Sequence, residues 1–460
     1  MTSLSDAAPS ASGSALGRSR ILSTGLGDWI ARPWFDRLAL MALGRLYLPV
    51  SRAWAAAIAA EGSPEPFLAA LELAASTKAP AKALARTHAL AETYAAADRH
   101  WNAVLFDAPD GAGVPSASAD WSRASDRLMA ARQLFLPFSL RHAIRPTRFA
   151  ISPQESVIER YGHLIADPEQ AYVMPDRPPA VKVSPTIERP WGREYWLRFA
   201  SPGPDEGVAY AHVFEPADVQ KPPSLVYANG LGVEVEAYDN VMDELFPLVS
   251  RGIRLVRLEL PQHVRRRRPG FYGGEQFLAH QPAGGLEFFQ AAVRDMAVLT
   301  HWCRANGSRR VGVGGTSLGA LTAQLAARHA RNWPAPCRPD ALFLVTTSSR
   351  VSTLGFESEL ARSVGLTQAL EDAGWTAERM GEIAGLADPG LIAPLQPHDI
   401  VMVLGHADRV TPISRGMQLA EHWRLPAENL FLYKRGHFSV PLGLLRDQKP
   451  LDRIARRLAG

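Results

Sequence analysis

The chain has 460 residues, 47% of them hydrophobic and 21% charged, with a formal net charge of only +4. That suits a globular protein of about two domains with a sizeable core, and so small a basic excess does not argue for nucleic acid. Two cysteines, Cys303 and Cys337, offer neither a disulfide framework nor a zinc spacing, so a reducing, cytoplasmic location is expected.

Residues 1–20, rich in Ser, Ala and Gly and without a basic-then-apolar signal pattern, read as a disordered tail. Residues 21–145 read as an N-terminal helical domain. Trp34, Leu38, Met41 and Leu48 open one helix. Ser63 can cap a second that starts at Pro64. A third, alanine-rich, runs from after Pro80 to Trp101, and a fourth from Ala117 to Leu140 follows the loop Gly111–Pro115. The apolar stretch from Trp34 to Ala60 is interrupted by Asp36, Arg37, Arg45 and Arg52, so its uncharged runs fall short of the roughly 20 residues a membrane-spanning helix needs. Two readings stand for this part: a scaffold packed on the rest of the chain, or a peripheral membrane contact made by Trp29, Trp34, Phe35 and Leu38 with Arg32 and Arg37 beside them.

Residues 146–192 form a proline-rich connector. Residues 193–460 alternate strands and helices, the pattern of a doubly wound sheet. Strands are expected at 193–199, 208–214, 224–228, 253–260, 310–314, 341–347, 399–405 and 429–433. Helices are expected at 238–249, 285–305, 318–331, 413–423 and 451–458. An insertion at about 349–396 carries helices near 357–363, 367–373 and 377–383 and is long enough to lie over the strand ends as a lid.

The most specific signal is Gly315-Thr316-Ser317-Leu318-Gly319, directly after an apolar run and before the helical spacing Leu318, Leu321, Leu325. Glycines two residues either side of Ser317 remove the Cβ atoms that would clash across a sharp strand-to-helix turn, and they leave the hydroxyl exposed at the sheet's tip. A serine needs a base, and the base an orienting acid. Asp408 follows the strand ending at Gly405, with Pro412 opening the next helix; His437 follows Gly436 at the end of the last strand. Asp408 could also simply cap that helix, and His437 could be satisfied by a backbone carbonyl. For an oxyanion the donors would be the amides of Leu231 and Leu318, the former on the turn Asn229-Gly230-Leu231-Gly232. Asn229, Gly230, Gly232 and His263 are candidates for contacting substrate. The run Arg265-Arg266-Arg267-Arg268 reads as a solvated loop paired with nearby acids; an anionic-substrate clamp and a nucleic-acid patch are its alternatives.

On the Asn229-Gly230 turn, the Ser317 elbow, Gly405 with Asp408 and Pro412, and Gly436-His437, the chain from about Arg193 onward resembles the α/β-hydrolase superfamily. The resemblance implies an α/β fold, here a mostly parallel eight-stranded sheet with helices on both faces, and no cofactor or metal. Glu155-Ser156-Val157-Ile158 and Pro269-Gly270-Phe271-Tyr272-Gly273 are similar to segments of the group typified by alpha/beta-hydrolase domain-containing protein 18. Asn229 departs from the superfamily's pattern, in which many members have a histidine. The expected activity is that of a serine hydrolase of esterase or lipase type, acting on a small-molecule or lipid ester and not on nucleic acid. An acyltransferase with the same triad, or a non-catalytic scaffold or membrane-docking protein, is the alternative.

Overall fold

The structure is a computed structural model that describes residues 33–108, 111–204, 207–232 and 243–460. The tail at 1–20, Trp29 and Arg32 lie outside the described residues, as does the first part of the helix expected at 238–249; from Phe246 to Arg251 the chain makes a 3₁₀ turn.

Among the described residues one ten-stranded sheet is formed by β1 (Lys182–Val183), β2 (Ile187–Arg189), β3 (Gly192–Ala200), β4 (Val208–Pro216), β5 (Ser224–Ala228), β6 (Arg254–Leu258), β7 (Val311–Thr316), β8 (Ala341–Val345), β9 (Ile400–Gly405) and β10 (Leu430–Tyr433). Their order is β1-β3-β4-β6-β5-β7-β8-β9-β10, with β2 also paired to β3. From β6 and β5 through to β10 the pairing is parallel, and β4 runs antiparallel to both its neighbours. This is the α/β-hydrolase arrangement. The short strands β1 and β2 are two more than the eight read from the sequence, and both come from the proline-rich stretch. That stretch also holds a helix, Gln154–Ala166, whose Val157 and Tyr161 are buried four residues apart. Its spacing is obscured in the sequence by the surrounding prolines.

Strands β8 and β9 are apolar throughout because both faces of the sheet are covered. Leu225 and Tyr227 of β5 and Phe343 and Val345 of β8 join a cluster with Leu451, Ile454 and Leu458 of the C-terminal helix Lys449–Ala459. The alternate residues Val226, Ala228, Leu342 and Leu344 join the opposite cluster, which takes in the helices Ala283–Ala305 and Leu318–His329. That larger cluster continues without a break into Val50, Trp54, Phe67 and Phe135 of the N-terminal helices.

Those helices differ in detail from expectation. Pro33–Ala42 passes through a π-turn at Leu43–Tyr47 into Leu48–Ala59; Ala81–Asn102 follows; and Val114–Ala130, a 3₁₀ turn and Leu136–Arg141 replace one long fourth helix. Ser63 occupies the cap position before Pro64–Ala70, but its side chain makes no capping bond. Trp34, Leu38 and Met41 are exposed. No helix among the described residues is long and apolar enough to cross a membrane.

The arginine run binds the two halves. The side chain of Arg265 is buried, with its guanidinium 4.0 Å from the ring centre of Trp121, 4.2 Å from Trp101 and 5.1 Å from both Trp196 and Tyr210. It pairs with Glu259 and, at 3.1 Å, with Asp98. Arg266 pairs with the buried Asp295 at 2.6 Å, and Arg267 lies over Trp54. The expected ion pairs are present and Arg268 is exposed as expected, but Arg265 is not solvated: four aromatic faces offer a desolvated cation more than water does, with cation–π contacts worth about 2 kcal/mol when buried.

A second buried site sets an acid limit on stability. His329 is 1% exposed, stacks on Tyr172 at 4.2 Å, and places Nδ1 3.1 Å from a Glu169 carboxylate that also accepts from Arg331 and Asn332. Burial lowers the imidazole pKa from 6.5 to about 4, so the neutral ring donates Nδ1–H to Glu169. Its contribution is complete above pH 6.5 and is lost as pH falls toward 4, with a limit of about 3 kcal/mol at 1.36 kcal/mol per unit. Thermal unfolding followed from pH 7 to 4 should show a shallower decline in His329→Gln than in the wild type. Parallel curves would contradict this account.

Candidate active site

Strand register brings the loops to one rim. Ala228 pairs with Gly315, Gly315 with Leu344, Thr316 with Val345, Val345 with Val403, and Gly405 with Tyr433. The turns that follow β5, β7, β9 and β10 therefore all leave from the carboxyl edge, where ligands of open α/β sheets bind.

Ser317 sits between β7 and the helix Leu318–His329 with φ 54° and ψ −118°. Such a backbone costs about 1–3 kcal/mol and persists only where its surroundings over-determine it. They do so here. The Ser317 amide donates to Val345 of β8 at 2.9 Å, and the glycines are obligatory. A Cβ on Gly315 would lie 2.1 Å from the Gly319 carbonyl carbon, and one on Gly319 would lie 2.0 Å from the Ala228 oxygen.

His437 is buried and contacts both partners. Its Nε2 lies 2.9 Å from Ser317 Oγ and its Nδ1 2.9 Å from Asp408 Oδ2. Asp408, also buried, accepts from the amides of Val410 and Thr411 through Oδ1, and from the Thr411 hydroxyl through Oδ2, each at 2.9 Å. It thus both shapes the turn before the helix Ile413–His422 and faces the imidazole. Because a carboxylate can only accept, Asp408 holds the proton on Nδ1 and leaves Nε2 to accept from Ser317. Thr411 was not singled out from the sequence. Its signal was the Asp-x-x-Thr spacing of a side-chain-to-backbone turn.

Beside Ser317 opens a cavity of about 120 Å³. Leu231, Leu318 and Leu321 line it from the strand ends, Phe277, Leu286 and Phe289 from the preceding segment, and Leu354, Leu360, Leu366, Met380 and Ile383 from the helical insertion. No charged residue lines it among the described residues. Of the four substrate-contact candidates, none lines this cavity. Gly230 abuts the elbow instead, since a Cβ there would meet Ser317 Cβ at 3.4 Å. His263 is buried behind the turn, where Nδ1 donates to Pro261 O at 2.8 Å and Nε2 accepts the Gly232 amide at 3.1 Å. Its short flanking loop folds it inward, so it ties down the chain beside Leu231 rather than facing the cavity. Asp36, which the sequence presented only as a charge interrupting an apolar helix, reaches the turn that carries His437.

No protein-family model matches this chain, and no curated protein matches it. Similar solved structures include acetyl xylan esterase 1 from Thermoanaerobacterium sp. JW/SL YS485, at 16% identity over 62% of this chain and 94% of that one, with a TM-score of 0.44. The acetyl xylan esterase from Paenibacillus sp. R4 is 15% identical over 67% of this chain and 96% of its own, with a TM-score of 0.46. An esterase from Pyrobaculum calidifontis gives 17%, 67%, 92% and 0.37 for the same quantities.

Proposed function

We propose that this protein is a serine hydrolase that cleaves an ester, or a related acyl bond, whose acyl part is apolar and uncharged. The observation that carries the reading is the unbroken Ser317–His437–Asp408 contact, two bonds of 2.9 Å, opening on a cavity without charge. In the proposed reaction His437 Nε2 takes the Ser317 proton as Oγ adds to the carbonyl carbon. The resulting oxyanion is stabilised by the amides of Leu231 and Leu318 and by the N-terminus of the helix Leu318–His329. Collapse breaks the ester C–O bond, and the leaving alkoxide takes the proton from His437. Water, deprotonated by the same nitrogen, then releases the acid and restores Ser317. Asp408 keeps the imidazole in the tautomer each step requires.

The helical insertion, as a lid, would shape the acyl pocket, and the exposed Trp34, Leu38 and Met41 support a peripheral lipid contact. Kinship with the group typified by alpha/beta-hydrolase domain-containing protein 18 belongs to this reading too, on two short segments.

A panel of p-nitrophenyl esters tests the assignment. Burying an unpaired carboxylate costs several kcal/mol, so a butanoate should exceed a hemisuccinate in kcat/KM by about a hundredfold or more. A fluorophosphonate should label Ser317 stoichiometrically. Equal rates for charged and uncharged acyl groups would overturn the specificity, and no ester turnover together with no labelling would overturn the hydrolase itself. Transfer of the acyl group to an added alcohol in preference to water would make it an acyltransferase.

A further inference from the structure

We infer that Asp36, from the helix Pro33–Ala42, is a positioning residue for His437, so that the N-terminal helix sets the working geometry of three side chains, Ser317, Asp408 and His437, that all come from the last third of the chain. The inference rests on the serine-hydrolase reading above and extends it.

His437 lies in the middle of the turn Gly436–Ser439, between β10 and the helix Ser439–Leu444. One carboxylate binds the backbone on both sides of it. Asp36 Oδ1 accepts the Phe438 amide at 2.6 Å and the Ser439 amide at 3.1 Å; Oδ2 accepts the Gly436 amide at 3.2 Å and the Ser439 hydroxyl at 2.5 Å. Bonds to an ionised acceptor are shorter and stronger than neutral ones, and four on one group fix its orientation as well as its position. Asp36 is 9% exposed, so these donors have little water to turn to.

The turn is shaped around that carboxylate. A Cβ on Gly436 would lie 2.4 Å from Asp36 Cγ and 2.7 Å from Oδ2. The residue before His437 therefore lacks a side chain because the volume is occupied by Asp36. Beside the turn lies a second cavity of about 300 Å³, lined by His437 and Asp408 themselves together with Asp36, Arg37, Glu359, His406, Arg409 and Phe438. On that side polar contacts, rather than close apolar packing, hold the loop. A displacement of about 1 Å at a reacting group costs on the order of a hundredfold in rate.

The test compares full-length wild type with Asp36→Ala and Asp36→Asn, with rates normalised to sites titrated by fluorophosphonate so that misfolded protein is not counted. Asp36→Ala should lower kcat per titrated site about a hundredfold and move KM less than about threefold. Asp36→Asn keeps one carbonyl acceptor for the Phe438 and Ser439 amides and should lose about tenfold; it also serves where the alanine variant does not fold. The downfield proton resonance of His437 Nδ1–H, bonded to Asp408, should be shifted or broadened in both variants. A merely structural role would reduce folded protein while leaving kcat per site and the resonance as in the wild type, and that result overturns the inference. Because the resonance is read without substrate, it judges the Asp36 contact even if no ester is turned over, so this inference and the hydrolase reading fail separately.

Discussion

Replacing Ser317 with alanine is expected to lower kcat by about five to six orders of magnitude, the loss seen when a triad nucleophile is removed. KM and folding should change little. Alanine meets the same unfavourable φ of 54° as serine, so the elbow's strain is not increased, and the amide bond to Val345 is untouched. What disappears is the hydroxyl oxygen 2.9 Å from His437 Nε2. Fluorophosphonate labelling should vanish with it, while residual hydrolysis above the water rate persists through the oxyanion donors and substrate binding. Turnover at the wild-type rate in homogeneous variant protein would show that another group forms the acyl intermediate.

Asp408→Asn is expected to cost about four orders of magnitude in kcat with the protein still folded. The direction follows from the partners of this side chain. The Val410 and Thr411 amides both point at Oδ1 and require an acceptor, so the asparagine carbonyl turns toward them. Its NH₂ group then faces His437 Nδ1, which must accept. The ring proton moves to Nε2, and a nitrogen that should take the Ser317 proton donates one instead. The hydroxyl stays in place, so fluorophosphonate labelling should slow greatly without being abolished. A loss of tenfold or less would mean that the imidazole does not depend on Asp408 for its tautomer.

The same residues mark the boundary between local and long-range information. The sequence by itself determined the strand–turn–helix around Ser317, because the forces there act within a few residues: a Cβ at 315 would collide with Gly319 itself. It also determined β3 to β10, since a continuous apolar run such as Leu342–Val345 suits only a strand covered on both faces. That Asp408 and His437 leave the same sheet edge as Ser317 follows from parallel strands in this order. Short elements inside proline-rich chain, such as the helix Gln154–Ala166, were hidden because proline signals outweigh a two-residue apolar spacing.

Only the tertiary structure decided what each isolated polar residue does. Arg265 reads as part of a solvated basic run until three tryptophans and a tyrosine from distant elements enclose it. His263 faces the Gly232 amide rather than the cavity for reasons of loop folding alone. Asp36 and the Gly436 amide it binds are 400 residues apart. A hydrogen bond across that separation imposes no periodicity, spacing or composition on either segment, so nothing local in the chain announces it; it exists because the core that folds the first helices onto the sheet brings the carboxylate to the turn.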